Sequence, residues 1–503
     1  MNSILAMPVV FPLFTGIIML FFWKHRQIQR IINFLGSTAT LALAIYLTWY
    51  IKTSGIQCLY IGAWKAPFGI IFTADLLTMT MILVSGIIGF ATSIYSLGTM
   101  DETREHFGYY PLLQIMIMGI NGSFMTGDLF NMFVWFEVLL ISSFSLVALG
   151  GERSQLEGAI KYVILNLLSS SLFVVGVGIL YGITGGLNMA DLARKIPMLP
   201  NQGIVNVMAM FFLISFGIKA AIFPLFFWLP ASYHTPPAAV SAIFAGMLTK
   251  VGVYALFRVF TLIFVTNVAF THTIIIIIAM LTMLSGVLGA ASQMEFRRIL
   301  SFHIISQIGY MVLGLGLMTP LGIAGGVFYI FHHIIVKTNL FFVSGVVNEL
   351  KGTYLLKKLG GVLKLYPLLG LLFLIPALSL GGVPPLSGFW AKYTVAVAAV
   401  EKGEYLALAV SLFVGLLTLF SMIKIWNEVF WKEQKAEFAA EQQALRQLPK
   451  FKIAMMFVPI ILLAAITLFI GLNPEPFLDY ANEAAQQLLN PSIYINAVLG
   501  GAQ

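Results

Sequence analysis

The chain has 503 residues, of which 59% are hydrophobic and only 10% charged, where an ordinary soluble domain carries about 25% charge. That balance excludes a soluble globular protein, because apolar stretches of the roughly 20 residues needed for one bilayer crossing recur from end to end. The net charge of +8 reflects basic loops and some buried lysines rather than a nucleic-acid surface, and the single cysteine, Cys58, excludes an internal disulfide or a cysteine metal site.

Fourteen spans are predicted in chain order, at about 3–23, 31–51, 72–97, 109–126, 128–149, 158–184, 203–229, 237–265, 272–294, 299–318, 320–348, 366–401, 405–430 and 452–472. The first reads as a retained span and not a signal peptide. No positive charge precedes it, Lys24, Arg26 and Arg30 follow it, and it has no small-residue cleavage site. The seventh contains Pro224 and ends at Pro230. The twelfth is too long for one straight crossing and must break at Gly381-Gly382-Val383-Pro384-Pro385. Broken helices at membrane depth are tolerated where protein or a water-filled cavity satisfies the freed backbone, and a pair of them in corresponding places points to internal repeats and a transport site. No soluble or strand-rich domain is predicted, and the tail from Asn473 onward is short and mildly amphipathic. The fold class is therefore all-α, a polytopic membrane protein of about fourteen helices. Loops after odd-numbered spans hold 17 basic residues and the opposite side six. The positive-inside rule then puts both termini outside a bacterial inner membrane, with the loop Trp431–Lys452 in the cytoplasm.

Apart from the basic residues counted with the loops, five lysines lie inside apolar spans, Lys219, Lys250, Lys337, Lys392 and Lys424, and one acid, Glu137, is equally deep. Each charge at the bilayer centre costs roughly 2.5–3.5 kcal/mol. At a rise of about 1.5 Å per residue, Glu137 lies about 14 Å beyond Asp128, Lys250 about 20 Å beyond Pro237, and Lys392 about 15 Å from Lys402. Lys424 sits near the end of its span, where a long side chain can snorkel to water. Glu137 has only Phe133, Val134, Leu140 and Ile141 beside it on its own helix, so its partner must come from another; Lys219 and Lys250 are the candidates. Burial favours the neutral amine and a nearby carboxylate the ammonium. A lysine facing such an acid therefore holds or releases a proton as the pair closes or opens. Arginine never deprotonates, and no arginine is expected deep in a span. In span eleven Tyr329, His333, Lys337 and Ser344 form one stripe with His332 adjacent, which reads as a proton relay. In span ten His303, Ser306, Gln307 and Tyr310 form another, equally suited to relay or to gluing helices together. His234 is either a channel-mouth group or an ordinary loop histidine. No phosphate loop, dinucleotide fingerprint or metal-ligand cluster is present, so no cofactor and no metal are expected.

The run Lys219-Ala220-Ala221-Ile222-Phe223-Pro224, followed by Trp228-Leu229-Pro230-Ala231, Pro236-Pro237, Val240-Ser241-Ala242 and Lys250-Val251-Gly252-Val253-Tyr254, resembles the signature of the antiporter-like membrane subunits. Respiratory complex I, membrane-bound hydrogenases and Mrp multisubunit sodium/proton antiporters share that family. Trp135-Phe136-Glu137, His333 through Lys337, and Gly382-Val383-Pro384-Pro385 with Gly388-Phe389 and Lys392 support the likeness, which covers about residues 70 to 430. The resemblance implies two inverted five-helix repeats, at 109–265 and 266–430, between an N-terminal segment 1–108 and a final segment 431–503. It implies that Glu137 and Lys219 form a switching ion pair. Lys250, His332, His333 and Lys337 form the central axis, and Lys392 the exit-side group. It further implies a proton-translocating, non-enzymatic subunit working with other membrane subunits on protons and Na+. Chain length and Lys392 favour the D-type subunits of Mrp antiporters. A complex I or hydrogenase subunit and a standalone solute transporter are the alternative readings.

Overall fold

The computed structural model describes residues 2–434 and 448–500. Among them, twelve helices are long and apolar enough to cross a membrane. The first four long helices are α1 (Met7–Phe21), α2 (Arg26–Ser54), α3 (Leu76–Thr99) and α4 (Tyr109–Met125). They are followed by α5 (Leu129–Ala148), α6 (Arg153–Thr184) and α7 (Gln202–Ala220). A short α8 (Trp228–Ser232) leads into α9 (Ala238–Leu262). Then come α10 (Val268–Ser292), α11 (Phe296–Leu317) and α12 (Pro320–Lys351). The second broken pair is α13 (Pro367–Gly381) and α14 (Ser387–Lys402), followed by α15 (Tyr405–Trp431) and α16 (Lys450–Leu472). Each of the fourteen predicted stretches contains helix. At 17 residues α4 falls short of the usual crossing length, as do the two halves of the predicted twelfth span.

Several helices begin on a side-chain cap, which satisfies amide donors that have no partner within the helix. Asp75 Oδ1 accepts from Thr78 N at 2.8 Å, Asp128 Oδ1 from Asn131 N at 2.8 Å, and Glu295 from the amides of Arg297 and Arg298. The helices α9 and α12 are enclosed on all sides and α11 nearly so, whereas α2, α6, α10 and α15 turn much of their apolar surface outward. The centre of the molecule is thus built from the helices that carry Lys250, Lys337 and three of the histidines.

The two breaks are built alike. At the end of α7, Ala221 adopts a left-handed conformation, its amide bonds the Ile218 carbonyl and the next amide bonds Gly217, after which Leu225 bonds Ile222. At the end of α13, Gly382 takes the place of Ala221, bonding Ser379; Val383 bonds Leu378 and Leu386 bonds Val383. These reversed turns consume the carbonyls that the helices leave open. The remaining backbone groups find side chains: Phe223 N donates to Thr282 Oγ1 on α10 at 2.9 Å, and Gly388 N to Ser379 Oγ at 3.0 Å.

Three elements depart from the sequence-based expectation. The start of the predicted third span, Ile71–Ala74, is a strand paired antiparallel with Gln57–Tyr60. Its β-branched and aromatic residues suit an extended edge, and Asp75 caps the helix only after it. The tail, read from the sequence only as short and mildly amphipathic, is helical. It forms α17 (Glu475–Leu489) and α18 (Pro491–Leu499), which pack back onto the bundle. Tyr480 Oη donates to Leu76 O at 3.0 Å, Gln487 Oε1 accepts from Leu76 N at 3.1 Å, and Tyr60 Oη donates to Val498 O at 2.8 Å. Finally, Arg258, counted among the six basic loop residues of the outer side, is not a loop residue. It lies buried in α9, where both of its terminal nitrogens bond Asp75 at 2.6 and 2.9 Å. It sits one turn from the helix end, and its guanidinium makes further bonds to Thr78 and Tyr254. Removing either partner would strand a buried charge, at a cost of about 3–5 kcal/mol.

Candidate functional site

The first group of titratable residues forms where α5, α6 and α7 meet. Ser169 and Ser215 exchange hydrogen bonds, Ser169 Oγ donating to Ser215 O at 2.7 Å and Ser215 Oγ to Ser169 O at 2.8 Å, which locks α6 to α7. The next residue, Ser170, is thereby held between two charges. Its hydroxyl donates to Glu137 Oε1 at 2.5 Å and accepts from Lys219 Nζ at 3.2 Å. Glu137 and Lys219 are thus brought together, but through Ser170 and not by direct contact. Lys219 occupies the last turn of α7, whose carbonyl end favours a cation, and its Nζ lies 5.0 Å from the centre of the Phe136 ring. Glu137 is only partly enclosed by this chain, whereas Lys219 is buried.

Lys250 follows a π-helical turn, Phe244–Leu248, of the kind often found at functional positions. Its Nζ donates to Ala245 O within that turn at 2.6 Å. Gly252, two residues on, lets α9 press against the end of α7. A Cβ there would stand 2.5 Å from Ala220 N. A small cavity lies beside Lys219, lined also by Asn166 and, from α9, by Leu248 and Val251, with room for about one water molecule.

Beyond Lys250, α12 supplies Lys337 and His333. Both are completely buried, and neither Lys337 Nζ nor either ring nitrogen of His333 has a hydrogen-bond partner among the described residues. Lys250 is within electrostatic reach of both. On α11, His303 is within reach of Lys337 and of Lys392. From there a row of polar side chains runs outward, hydrogen-bonded as far as Tyr329 and continued by ring contacts to Lys392. The His303 ring is 3.5 Å from Ser306 Oγ, which accepts from Gln307 Nε2 at 3.0 Å; Gln307 Oε1 accepts from Tyr329 Oη at 2.5 Å. Tyr329 stacks on Tyr310 with ring centres 5.2 Å apart, and Lys392 Nζ lies 5.1 Å from the Tyr310 ring while donating to Gly381 O at 3.0 Å. Lys392 opens on a cavity of about 560 Å³ at the α13–α14 break, bounded by Gly382, Ser411 and the exposed Tyr393, Leu412 and Leu416.

The comparisons with known proteins agree in kind. Residues 126–418 match the family described as NADH:quinone oxidoreductase/Mrp antiporter, TM. The D-type Na(+)/H(+) antiporter subunit of Alkalihalophilus pseudofirmus is 48% identical over 99% of this chain and 100% of its own length. Its counterpart from Bacillus subtilis is 41% identical over the same shares. A chain in the structure of the Mrp complex from Dietzia sp. DQ12-45-1b superposes with a TM-score of 0.90 at 30% identity, over 99% of this chain and 100% of that one. The chain belongs to the family of D-type Na(+)/H(+) antiporter subunits. Its kind is therefore that of a transporter component and not of an enzyme.

Within this family member, the predicted residues are not all joined equally. Glu137, Lys219, Lys250, His333, Lys337 and Lys392 fall along one band through the bundle. His332 stands beside the band, edge-on to the Tyr329 ring with centres 5.8 Å apart. Its Nδ1 is 2.8 Å from Ser387 Oγ, which is 3.1 Å from Ser379 Oγ, so it is tied to the second break. Lys424 leaves the band, donating to Ala291 O and Gln293 O at 2.8 Å each, where it caps the carbonyl end of α10. His234 is a half-buried loop group. Burial, with Arg297 and Arg298 nearby, pushes it down to about 4, so at neutral pH its ring is uncharged. Ser170 escaped sequence reasoning because one hydroxyl in an apolar helix carries no charge to betray it. The only signal in the sequence was the triplet Ser169-Ser170-Ser171 at mid-span.

Proposed function

We propose that this chain is the proton-translocating subunit of a multisubunit Na+/H+ antiporter. In this reading protons pass from Glu137 through Ser170 and Lys219 to Lys250, then to Lys337 with His333, and on through the His303–Tyr329–Tyr310 row to Lys392. The carrying observation is that titratable groups on α5, α7, α9, α12 and α14 lie in one band whose inner members are fully buried and whose two end members, Glu137 and Lys392, are only partly enclosed. Buried polar atoms without protein partners, as at Lys337 and His333, suit a path hydrated by ordered water. Lysine suits such a path because its proton can leave once a carboxylate withdraws. The likeness of the two breaks supports two repeats, 109–265 and 266–430, each contributing one broken helix to the band. The relatives' membership in a complex supports other membrane subunits as partners.

Ser170 tests this reading apart from charge. Ser170→Ala removes a bridging hydroxyl and one good hydrogen bond at each end. Transport should fall by about tenfold, the rate equivalent of losing one hydrogen bond of about 1.4 kcal/mol. The readout is dissipation of a pH gradient on Na+ addition in everted vesicles, with assembly followed on native gels. Ser170→Thr keeps the hydroxyl and should retain most of the activity. Equal activity in Ser170→Ala and wild type would remove the serine from the path.

The orientation proposed has both termini outside and the loop 431–452 in the cytoplasm; Lys435 and Arg446 of that loop, and Gln503 at the end of the chain, lie outside the described residues. Accessibility labelling of cysteines placed at Lys357 and Gln503 should report opposite sides. Labelling from one side alone would contradict it.

A further inference from the structure

Away from the band, a half-open crevice of about 220 Å³ lies among α2, α3, α12 and the tail helix α17. Its walls are Leu83, Val327, Phe328, Phe331 and Phe477, with Phe331 and Phe477 stacked at 5.8 Å. The three polar side chains on the lining are already engaged. Thr48 Oγ1 donates to Ala44 O, Thr80 Oγ1 to Leu76 O, and Tyr480 Oη to Leu76 O, at 2.7, 2.9 and 3.0 Å. Nothing inside is free to bind a polar molecule, and an apolar cavity does not hold water. What fits is an aliphatic chain, and the crevice stands beside the outward-facing Ile45, Tyr46 and Trp49 of α2, which the bilayer covers. The mouth carries charge. Lys52, exposed in the last turn of α2 and one turn beyond Thr48, lies 5.8 Å from the centre of the Tyr480 ring and forms no ion pair among the described residues.

We propose that this crevice is a binding site for one anionic phospholipid, an acyl chain lying between α12 and α17 with its phosphate against Lys52. The depth order matches a lipid's own. The cation is at the end of α2, where headgroups lie, and the apolar walls begin one helical turn further in. The occupant ties the tail helix to α3 and α12, so the site serves the docking of α17 rather than the relay.

The test uses the assembled complex in proteoliposomes with phosphatidylglycerol bearing a photoactivatable group midway along one acyl chain. Adducts should map to peptides containing Phe328, Phe331 or Phe477. Lys52→Gln, on the exposed rim, should reduce them by about fivefold, the contribution of one lysine beside an anionic surface. Thr48→Phe, which fills the crevice from α2, should abolish them while labelling elsewhere on the chain persists. The same probe built on phosphatidylcholine should label these peptides no more than the Lys52→Gln variant does. Equal labelling by the two lipids, undiminished labelling in Lys52→Gln, or no adduct in the crevice of the assembled complex, as a neighbouring subunit filling it would give, each overturns the proposal.

Discussion

Lys337→Ala lowers Na+-driven proton movement in everted vesicles by about 100-fold while the complex still assembles. The size is the lower range for loss of a positioned proton-transfer group. The unusual part of the expectation is its sign for stability. Lys337 is fully buried, and its Nζ has no protein partner among the described residues. An amine in that position contributes little to holding the fold, and in its charged form it opposes burial. Removing it therefore leaves no stranded counter-charge, unlike removal of Arg258 or Asp75, which hold each other. Lys337→Met, which preserves the apolar stem, should assemble at wild-type levels and be as inactive as Lys337→Ala. Lys337→Arg keeps the positive charge but cannot release a proton, and it should also be inactive. Native gels for assembly and the vesicle assay for transport separate the two properties. Full activity in Lys337→Arg would show that a fixed charge suffices there and that no proton passes through the residue.

Much of this arrangement could be read from the sequence because charge in an apolar span is expensive and therefore rare. Glu137, Lys219, Lys250, Lys337 and Lys392 announced themselves by that cost alone, and Pro224 and Pro384 announced the two breaks. The missing parts share a reason: their signal is weak until the helices are packed. Ser170 is one hydroxyl among many, and it matters only because the Ser169–Ser215 exchange places it between Glu137 and Lys219. The row from Ser306 through Gln307 and Tyr329 to Tyr310 was visible as helical stripes on two spans. What the sequence did not show is which groups of the two stripes meet, namely the Tyr329–Gln307 bond and the position of Lys392 against Tyr310. His332 and His333 are sequence neighbours, yet a helix turns them about 100° apart, so one meets Ser387 and the other faces the lysines. Counting Arg258 as a loop residue failed because its span runs past it and its partner, Asp75, is contributed by a different helix start. The strand Ile71–Ala74 was hidden because it runs on into the apolar α3 with only Asp75, the helix cap, between them.

The central claim is that the charge of Glu137, communicated through Ser170, decides whether Lys219 keeps its proton. With the carboxylate ionised and the serine bridge closed, the ammonium is supported. With the bridge open, Lys219 loses that support and its proton moves toward Lys250 on α9, the helix that lines the small cavity beside Lys219 through Leu248 and Val251. Glu137→Gln keeps the size of the side chain and an oxygen to accept from Ser170, but it removes the charge. The direct measurement is dissipation of the pH gradient on Na+ addition in everted vesicles carrying Glu137→Gln, Glu137→Asp or Glu137→Ala, with assembly confirmed on native gels. The account predicts loss of about 100-fold or more for Gln and Ala and partial activity for Asp, which retains the charge at a reach one methylene shorter. Wild-type transport by assembled Glu137→Gln complexes would contradict it.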